Sequence, residues 1–109
     1  MIINKTNSRK INIQLKNATT PWQKTKGLIS GGKTGIIFTT RFGIHTFLVK
    51  FPIDVYVLNA ENKVVKIKKG LKPNRILLWN PLYKKILEVP SDKIQNGDIE
   101  IGNELEIIL

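Results

Sequence analysis

Short strand-forming segments follow one another closely along this 109-residue chain, and their density is the feature that most restricts its fold. RKINIQLK (9–16) alternates strictly, with Ile11, Ile13 and Leu15 on one face and polar residues on the other, which predicts a half-buried strand. Apolar and β-branched runs predict further strands in GIIFTT (35–40), HTFLVKF (45–51), DVYVLN (54–59), KVVKIK (63–68), ILLW (76–79) and KKILEV (84–89). Residues 60–62 predict a tight hairpin, and DIEIGNELEIIL (98–109) predicts two short strands around Gly102-Asn103.

Only two segments favour a helix. TTPWQKTKGLIS (19–30) predicts about two turns, because Pro21 suits the first helical position. SDKIQNG (91–97) predicts a single turn that Ser91 or Asp92 caps and Gly97 closes. A parallel α/β sheet would need crossover helices for which we expect no room. The sequence therefore predicts one mainly β domain over residues 1–109, a small antiparallel β-barrel or sandwich with one or two short helices.

The composition limits the chemistry and the location. Cysteine is absent, which excludes disulfides, thiol catalysis and zinc–thiolate sites. MIINKTNSRKINI (1–13) has no apolar run typical of a signal peptide, and no later run is long enough to cross a membrane. We expect a soluble, cytoplasmic protein with no membrane partner.

The charge is unevenly distributed along the chain. Residues 1–85 contain 17 of the 18 Lys and Arg residues and only two acids, whereas residues 86–109 contain six acids and one lysine. The net charge of +10 favours anionic partners, although lysines scattered for solubility also explain it. The acidic residues 86–109 of one copy could pair weakly with the basic residues 1–85 of another. We therefore expect a monomer or a weak homo-oligomer.

GLISGGKT (27–34) matches the phosphate-binding pattern G-x-x-x-x-G-K-[ST]. A phosphate-binding loop leaves a strand and enters a helix, whose N-terminus then faces the phosphates. Here the predicted helix precedes the motif and the predicted strand follows it. The sequence therefore predicts a glycine-rich turn and no nucleotide site.

Three segments together resemble one family. They are NATTPWQKTKGLIS (17–30), GIIF (35–38) with IHTFLVKFPIDVYVLNAENKVVKI (44–67), and ILEVPSDKIQNGDIEIGNEL (86–105). Their order and spacing are similar to the uncharacterised family called domain of unknown function 192, over about residues 12–108. The resemblance implies a small, mainly antiparallel β-domain of barrel or sandwich type and no assigned catalytic residues. The family pattern has Asp where Asn103 stands, and Met near Ile29 and near Val49.

A pocket at a barrel mouth is the leading functional hypothesis. We expect His45, Phe47, Lys50, Asp54 and Trp79 to line a site for a small ligand or a peptide in a non-enzymatic binding or accessory module. His45 and Asp54 could also form the acid–base pair of an uncharacterised hydrolase. Alternatively, His45 bonds a backbone carbonyl and Asp54 caps a turn.

A basic segment supports a second hypothesis, a small barrel that binds nucleic acid through the hairpin 63–72. Lys66 and Lys68 are predicted to project from one strand face, with Val65 and Ile67 on the other. The candidate nucleic-acid-binding residues are Lys63, Lys66, Lys68, Lys69, Lys72 and Arg75. His45 is the only histidine, so a multi-histidine metal site is excluded, and we expect no cofactor and no metal.

Overall fold

A computed structural model describes residues 1–17, 34–40, 44–45, 51–72 and 75–109, with the backbone alone for residues 44–45. These residues form strands β1 (Ile2–Asn4), β2 (Arg9–Ile11), β3 (Gln14–Asn17), β4 (Thr34–Thr39), β5 (Ile44–His45), β6 (Ile53–Leu58), β7 (Val64–Leu71), β8 (Ile76–Leu77), β9 (Lys85–Pro90) and β10 (Leu105–Ile107). A single turn of 3₁₀-helix covers Ser91–Lys93. The prediction of a mainly β chain is confirmed.

The strands form sheets that do not close on themselves. A five-stranded sheet has the order β3-β4-β9-β6-β7, a three-stranded sheet has the order β10-β1-β2, and β5 pairs with β8. Within the described ranges, the edge strands β3 and β7 pair with no strand beyond them, so the barrel alternative is wrong and the sandwich alternative is right.

One strand pair departs from the antiparallel expectation. β3 and β4 run parallel, from Gln14 beside Thr34 to Asn17 beside Ile37, whereas the other pairs are antiparallel. Parallel neighbours need a crossover connection of about a dozen or more residues. Residues 18–33 supply that length, which the prediction of an all-antiparallel sheet overlooked.

The five-stranded sheet is buried on both faces. Its inner face packs against the three-stranded sheet, through Leu15, Tyr56, Leu58, Leu87 and Val89 on one side and Ile2, Ile11 and Leu105 on the other. Its outer face carries a second core of Ile36, Phe38, Val55, Val57 and Ile86, which packs against Trp79 and the half-buried Leu77. All six residues of β6 are therefore buried. This explains why DVYVLN contains apolar residues on both alternating faces.

Some predicted strands are shorter or divided. The predicted strand 9–16 is two strands in different sheets, because the chain kinks where Ile13 N–H donates to the Ile11 carbonyl. Ile11, Ile13 and Leu15 are all buried nonetheless, as their alternation predicts. The predicted strand at 98–101 is wrong: these residues form bends and a turn, and β10 alone follows. β1 was not predicted.

The remaining local predictions have mixed outcomes. The hairpin at 60–62 is confirmed, with Asn62 at a φ of 61°. The turn at 91–93 exists, but no side chain caps it. The predicted helix in 19–30, GLISGGKT before Thr34, and residues 46–50 of HTFLVKF lie outside the described residues.

Candidate functional site

β7 is the edge strand that carries the predicted basic residues. Lys66 lies opposite Val57 and Lys68 opposite Val55, so both lysines share the outer face of the sheet, as predicted. The prediction that Val65 and Ile67 share the opposite face is wrong. A register shift beside Leu58 places Val65 against the outer core, while Ile67 packs on the inner one.

The other lysines of this segment lie on β7 or next to one of its ends, and Arg75 directly precedes β8. Lys66 donates to the Leu78 carbonyl at 3.2 Å, and Lys69 donates to the Asn96 side chain at 3.5 Å, toward the inner-face side. We call the exposed residues Lys63, Lys66, Lys68, Lys69, Lys72 and Arg75 the basic edge. The sequence from 62 to 87 contains no Asp or Glu, and at one end of the basic edge Glu104 of the tail forms a backbone bridge with Lys63.

The acidic tail makes ion pairs elsewhere in the same chain. Arg9 pairs with Asp98 at 3.2 Å, and Lys5 pairs with Glu104 at 3.1 Å. Both cations belong to the region around the β1–β2 hairpin and not to the basic edge. These two acids are therefore engaged within the chain, and the predicted oligomer through the tail stays a prediction.

Asp54 lies in the inner face at a bulge of the sheet. β6 advances two residues from Ile53 to Val55 while β7 advances three from Lys68 to Leu71, and Gly70 takes up the extra residue with a φ of 63°. Gly70 N–H and Ser91 Oγ–H each donate to Asp54 Oδ1 at 2.8 Å. Because its carboxylate is only 3% exposed and binds the bulge and the 3₁₀ turn together, Asp54 has a structural role here. The sequence alternative that Asp54 holds a turn agrees with this geometry.

Tyr56 lies beside this carboxylate on β6. Its hydroxyl is 3.5 Å from Asp54 Oδ2. Burial raises the pKa of Tyr56 well above its ordinary value, and the negative charge and hydrogen bond of Asp54 raise it further. The phenol is therefore held neutral.

The residues of the predicted ligand pocket are separated by the sheet where they can be placed. Trp79 packs in the outer core and donates its Nε1–H to the Tyr83 carbonyl at 2.9 Å, whereas Asp54 lies on the inner face. The backbone of His45 pairs with Ile76 in the β5–β8 ribbon. Phe47 and Lys50 lie outside the described residues. Ligand binding by His45, Phe47, Lys50, Asp54 and Trp79 stays a prediction.

Two features of β9 were missed by the sequence analysis. Glu88, counted there among the six acids of residues 86–109, is 5% exposed and lies on the outer face between Ile36 of β4 and Val55 of β6. Its flanking apolar residues, Leu87 and Val89, were a signal that the whole strand is buried. Lys85, at the start of β9, is half-buried and borders two concavities, and nothing in its sequence context distinguishes it from Lys84.

The described residues include no helix with the length and apolarity needed to cross a membrane. Across the same residues, no three side chains of His, Cys, Asp or Glu gather closely enough to hold a metal ion.

The described residues define a small, mainly β protein. The buried Asp54 carboxylate joins β7 to the 3₁₀ turn, and β7 carries lysines of the basic edge. The chain belongs to the family called domain of unknown function 192, described as "Uncharacterized ACR", whose model matches residues 2–107. The resemblance stated from the sequence is thereby confirmed. Among curated proteins, none matches this chain.

Two solved structures share the fold. A protein from Sinorhizobium meliloti, described as a candidate transcription regulator, is 16% identical with a TM-score of 0.71, covering 96% of this chain and 88% of that one. A protein of unknown function from Novosphingobium aromaticivorans is 19% identical with a TM-score of 0.70, covering 87% of this chain and 75% of that one. At these identities the likeness shows the fold alone.

Proposed function

We propose that this chain is a non-enzymatic binding module that holds single-stranded nucleic acid by its phosphates along the basic edge. The observation that carries the proposal is an exposed edge strand with cations on both of its sides and no acid in the sequence from 62 to 87. An ammonium group has three donors, and Lys66 and Lys69 each use one of them in the contacts described above. The others remain for phosphate oxygens.

This proposal takes precedence over the pocket around His45 because of what Asp54 does. Asp54 Oδ1 already accepts two hydrogen bonds from the protein, and the carboxylate is almost fully buried. A ligand would have to break those bonds to reach it. Lys66 and Lys69 of the basic edge need no such rearrangement, because each keeps donors beyond the one contact described above.

The binding mode follows from the side chains available. Among the described aromatic residues, Phe38, Tyr56 and Trp79 are buried in the cores, and Phe51 and Tyr83 are half-buried. Base stacking on aromatic side chains, which small single-strand-binding barrels use, therefore contributes little. We expect binding that depends on phosphates, tolerates any base sequence and weakens steeply with salt.

Edge-strand lysines also have a role that needs no partner, since their charge prevents pairing with the edge of another sheet. The experiment must therefore separate binding from solubility. We would measure the binding of a labelled oligothymidine by fluorescence anisotropy at about 150 mM salt, for the wild type and for Lys66/Lys68/Lys69→Gln.

The matched control is Lys10/Lys16/Lys93→Gln, which removes the same charge from three exposed positions outside β7. The proposal predicts that the β7 variant loses most of its affinity while the control keeps most of it. Equal losses in both variants would show that only net charge matters. A β7 variant that binds like the wild type but aggregates would assign the lysines to edge protection.

A further inference from the structure

The end of the sheet that carries Thr39 and Lys85 has a concavity on either side. The first, of about 350 Å³, is lined by Leu58, Asn59, Ala60, Leu82, Tyr83 and Lys84 together with Thr39 and Lys85. The second, of about 320 Å³, shares Thr39 and Lys85 and adds residues that include Ile37, Asn62 and Leu109. Thr39 and Lys85 are directly paired on β4 and β9, and both residues line the two concavities. We call the combined space the Lys85 cleft.

Lys85 brings a positive charge into this cleft without a matching acid. Its Nζ donates to the Asn62 side-chain oxygen at 2.6 Å, which uses one of its three donors. Across the described residues, no carboxylate of an Asp or Glu side chain lies within ion-pair distance of it. A half-buried ammonium with one neutral partner favours an anion, because water solvates it less completely than it would an exposed lysine.

The first concavity, which Lys85 also lines, offers an apolar wall, whereas the Asn62 partner of Lys85 Nζ lines the second concavity. Leu82 is 79% exposed, although the turn that carries it is well held. Tyr83 N–H donates to the Asn80 carbonyl at 3.0 Å, and Leu82 N–H donates to the Asn80 side chain at 3.0 Å. The Trp79 indole N–H donates to the Tyr83 carbonyl and fixes the end of this turn. The leucine is therefore presented to solvent on a fixed support, which is favourable for covering it with an apolar ligand.

We propose that the Lys85 cleft binds a small amphiphilic carboxylate. The carboxylate accepts from Lys85 Nζ, and the apolar tail lies in the first concavity against Leu82 and Tyr83. The volume of this concavity falls within the range of roughly 300–1,000 Å³ that small-molecule sites occupy. This site is separate from the basic edge, so either proposal can fail alone.

The test titrates hexanoate into the whole chain and measures binding by two-dimensional amide NMR. Hexan-1-ol and inorganic phosphate are titrated separately as comparison ligands. We expect saturable shifts at Thr39, Tyr83 and Lys85 with hexanoate only. Charge-assisted hydrogen bonds predict that Lys85→Met weakens hexanoate binding by about tenfold or more. The control Lys10→Met, an exposed position on β2 that lines neither concavity, should weaken it by less than about twofold. The amide spectra of the variants report at the same time whether each one is folded.

Leu82→Ser and Leu109→Ser test the position of the tail with two exposed leucines, one from each concavity. The proposal predicts weaker hexanoate binding in Leu82→Ser alone. Loss of binding in Leu109→Ser instead would overturn the placement of the tail. Equal binding of hexan-1-ol or phosphate, or full hexanoate affinity in Lys85→Met, would overturn the assignment of an amphiphilic carboxylate.

Discussion

The carboxylate of Asp54 allows a sharp prediction, because one of its oxygens makes both short hydrogen bonds. Asp54 Oδ1 accepts from Gly70 N–H and Ser91 Oγ–H, each at 2.8 Å. Hydrogen bonds to charged groups contribute about 1.5–3 kcal/mol each, and neutral ones about 0.5–1.5 kcal/mol. Asp54→Ala removes both bonds and should lower the free energy of unfolding by about 3–5 kcal/mol.

Asp54→Asn should cost less, about 2–3 kcal/mol, because an amide oxygen at the position of Oδ1 keeps both bonds without the charge. The amide nitrogen then faces the Tyr56 hydroxyl, which can accept its hydrogen bond. The two variants therefore separate the loss of hydrogen bonding from the loss of charge.

The assay is urea unfolding followed by circular dichroism, with Ser91→Ala and the double variant Asp54→Asn/Ser91→Ala completing a cycle. Direct contact predicts a coupling energy above about 0.5 kcal/mol between the two positions. The reasoning is refuted if Asp54→Ala and Asp54→Asn are equally destabilising, or if Asp54→Ala costs less than about 1.5 kcal/mol. If Asp54→Ala does not fold, Asp54→Asn and Ser91→Ala still give the cycle.

Two further predictions follow from buried polar groups. Asn103 Oδ1 accepts from Glu100 N–H at 2.9 Å and from Asn4 Nδ2 at 2.8 Å, and Asn4 is fully buried. In urea unfolding, the free energy of unfolding of Asn103→Asp should therefore stay within about 1 kcal/mol of the wild type, while Asn103→Ala should lose about 1–3 kcal/mol. Equal losses in the two variants would contradict this. The raised pKa of Tyr56 stabilises the fold below the ordinary tyrosine pKa of about 10, and this stabilisation is lost as the pH rises above it. Between about pH 9 and 11 the wild type should lose more unfolding free energy than Tyr56→Phe, and parallel losses would contradict the assignment.

The asparagine at position 103 also accounts for a departure from the family pattern. The resemblance predicts an aspartate there, and its absence put any role of that acid in doubt. In the structure the side-chain oxygen closes the turn that begins at Glu100 and binds the amide of Asn4. An asparagine supplies that oxygen as well as an aspartate does, so the change leaves the turn intact.

The sequence predicted strands well where the local pattern decided them. Alternation placed Ile11, Ile13 and Leu15 on the core side, and the hairpin at 60–62 was recognisable from its position between two apolar runs. The division of residues 9–16 between two sheets was not predictable, because each half follows the same alternating pattern. Only tertiary pairing, β2 with β1 and β3 with β4, distinguishes the halves.

The candidate sites show the same limit. The basic edge could be predicted, because lysines alternate with apolar residues on one strand and the register preserves that alternation at Lys66 and Lys68. The burial of Glu88 and the hydrogen bonds of Asp54 could not be predicted, since both depend on which strands lie beside these residues. The Lys85 cleft depends on five separate segments of the chain, and no spacing within one of them indicates it.

The measurement that tests the central claim most directly is the salt dependence of oligothymidine binding. Each neutralised phosphate of a single strand contributes roughly −0.7 to the slope of log K against log salt concentration. Removing Lys66, Lys68 and Lys69 should therefore make the slope shallower by roughly 2, whereas Lys10/Lys16/Lys93→Gln should leave it nearly unchanged. Equal slopes for the wild type and the β7 variant would contradict the proposal that the basic edge binds the phosphates.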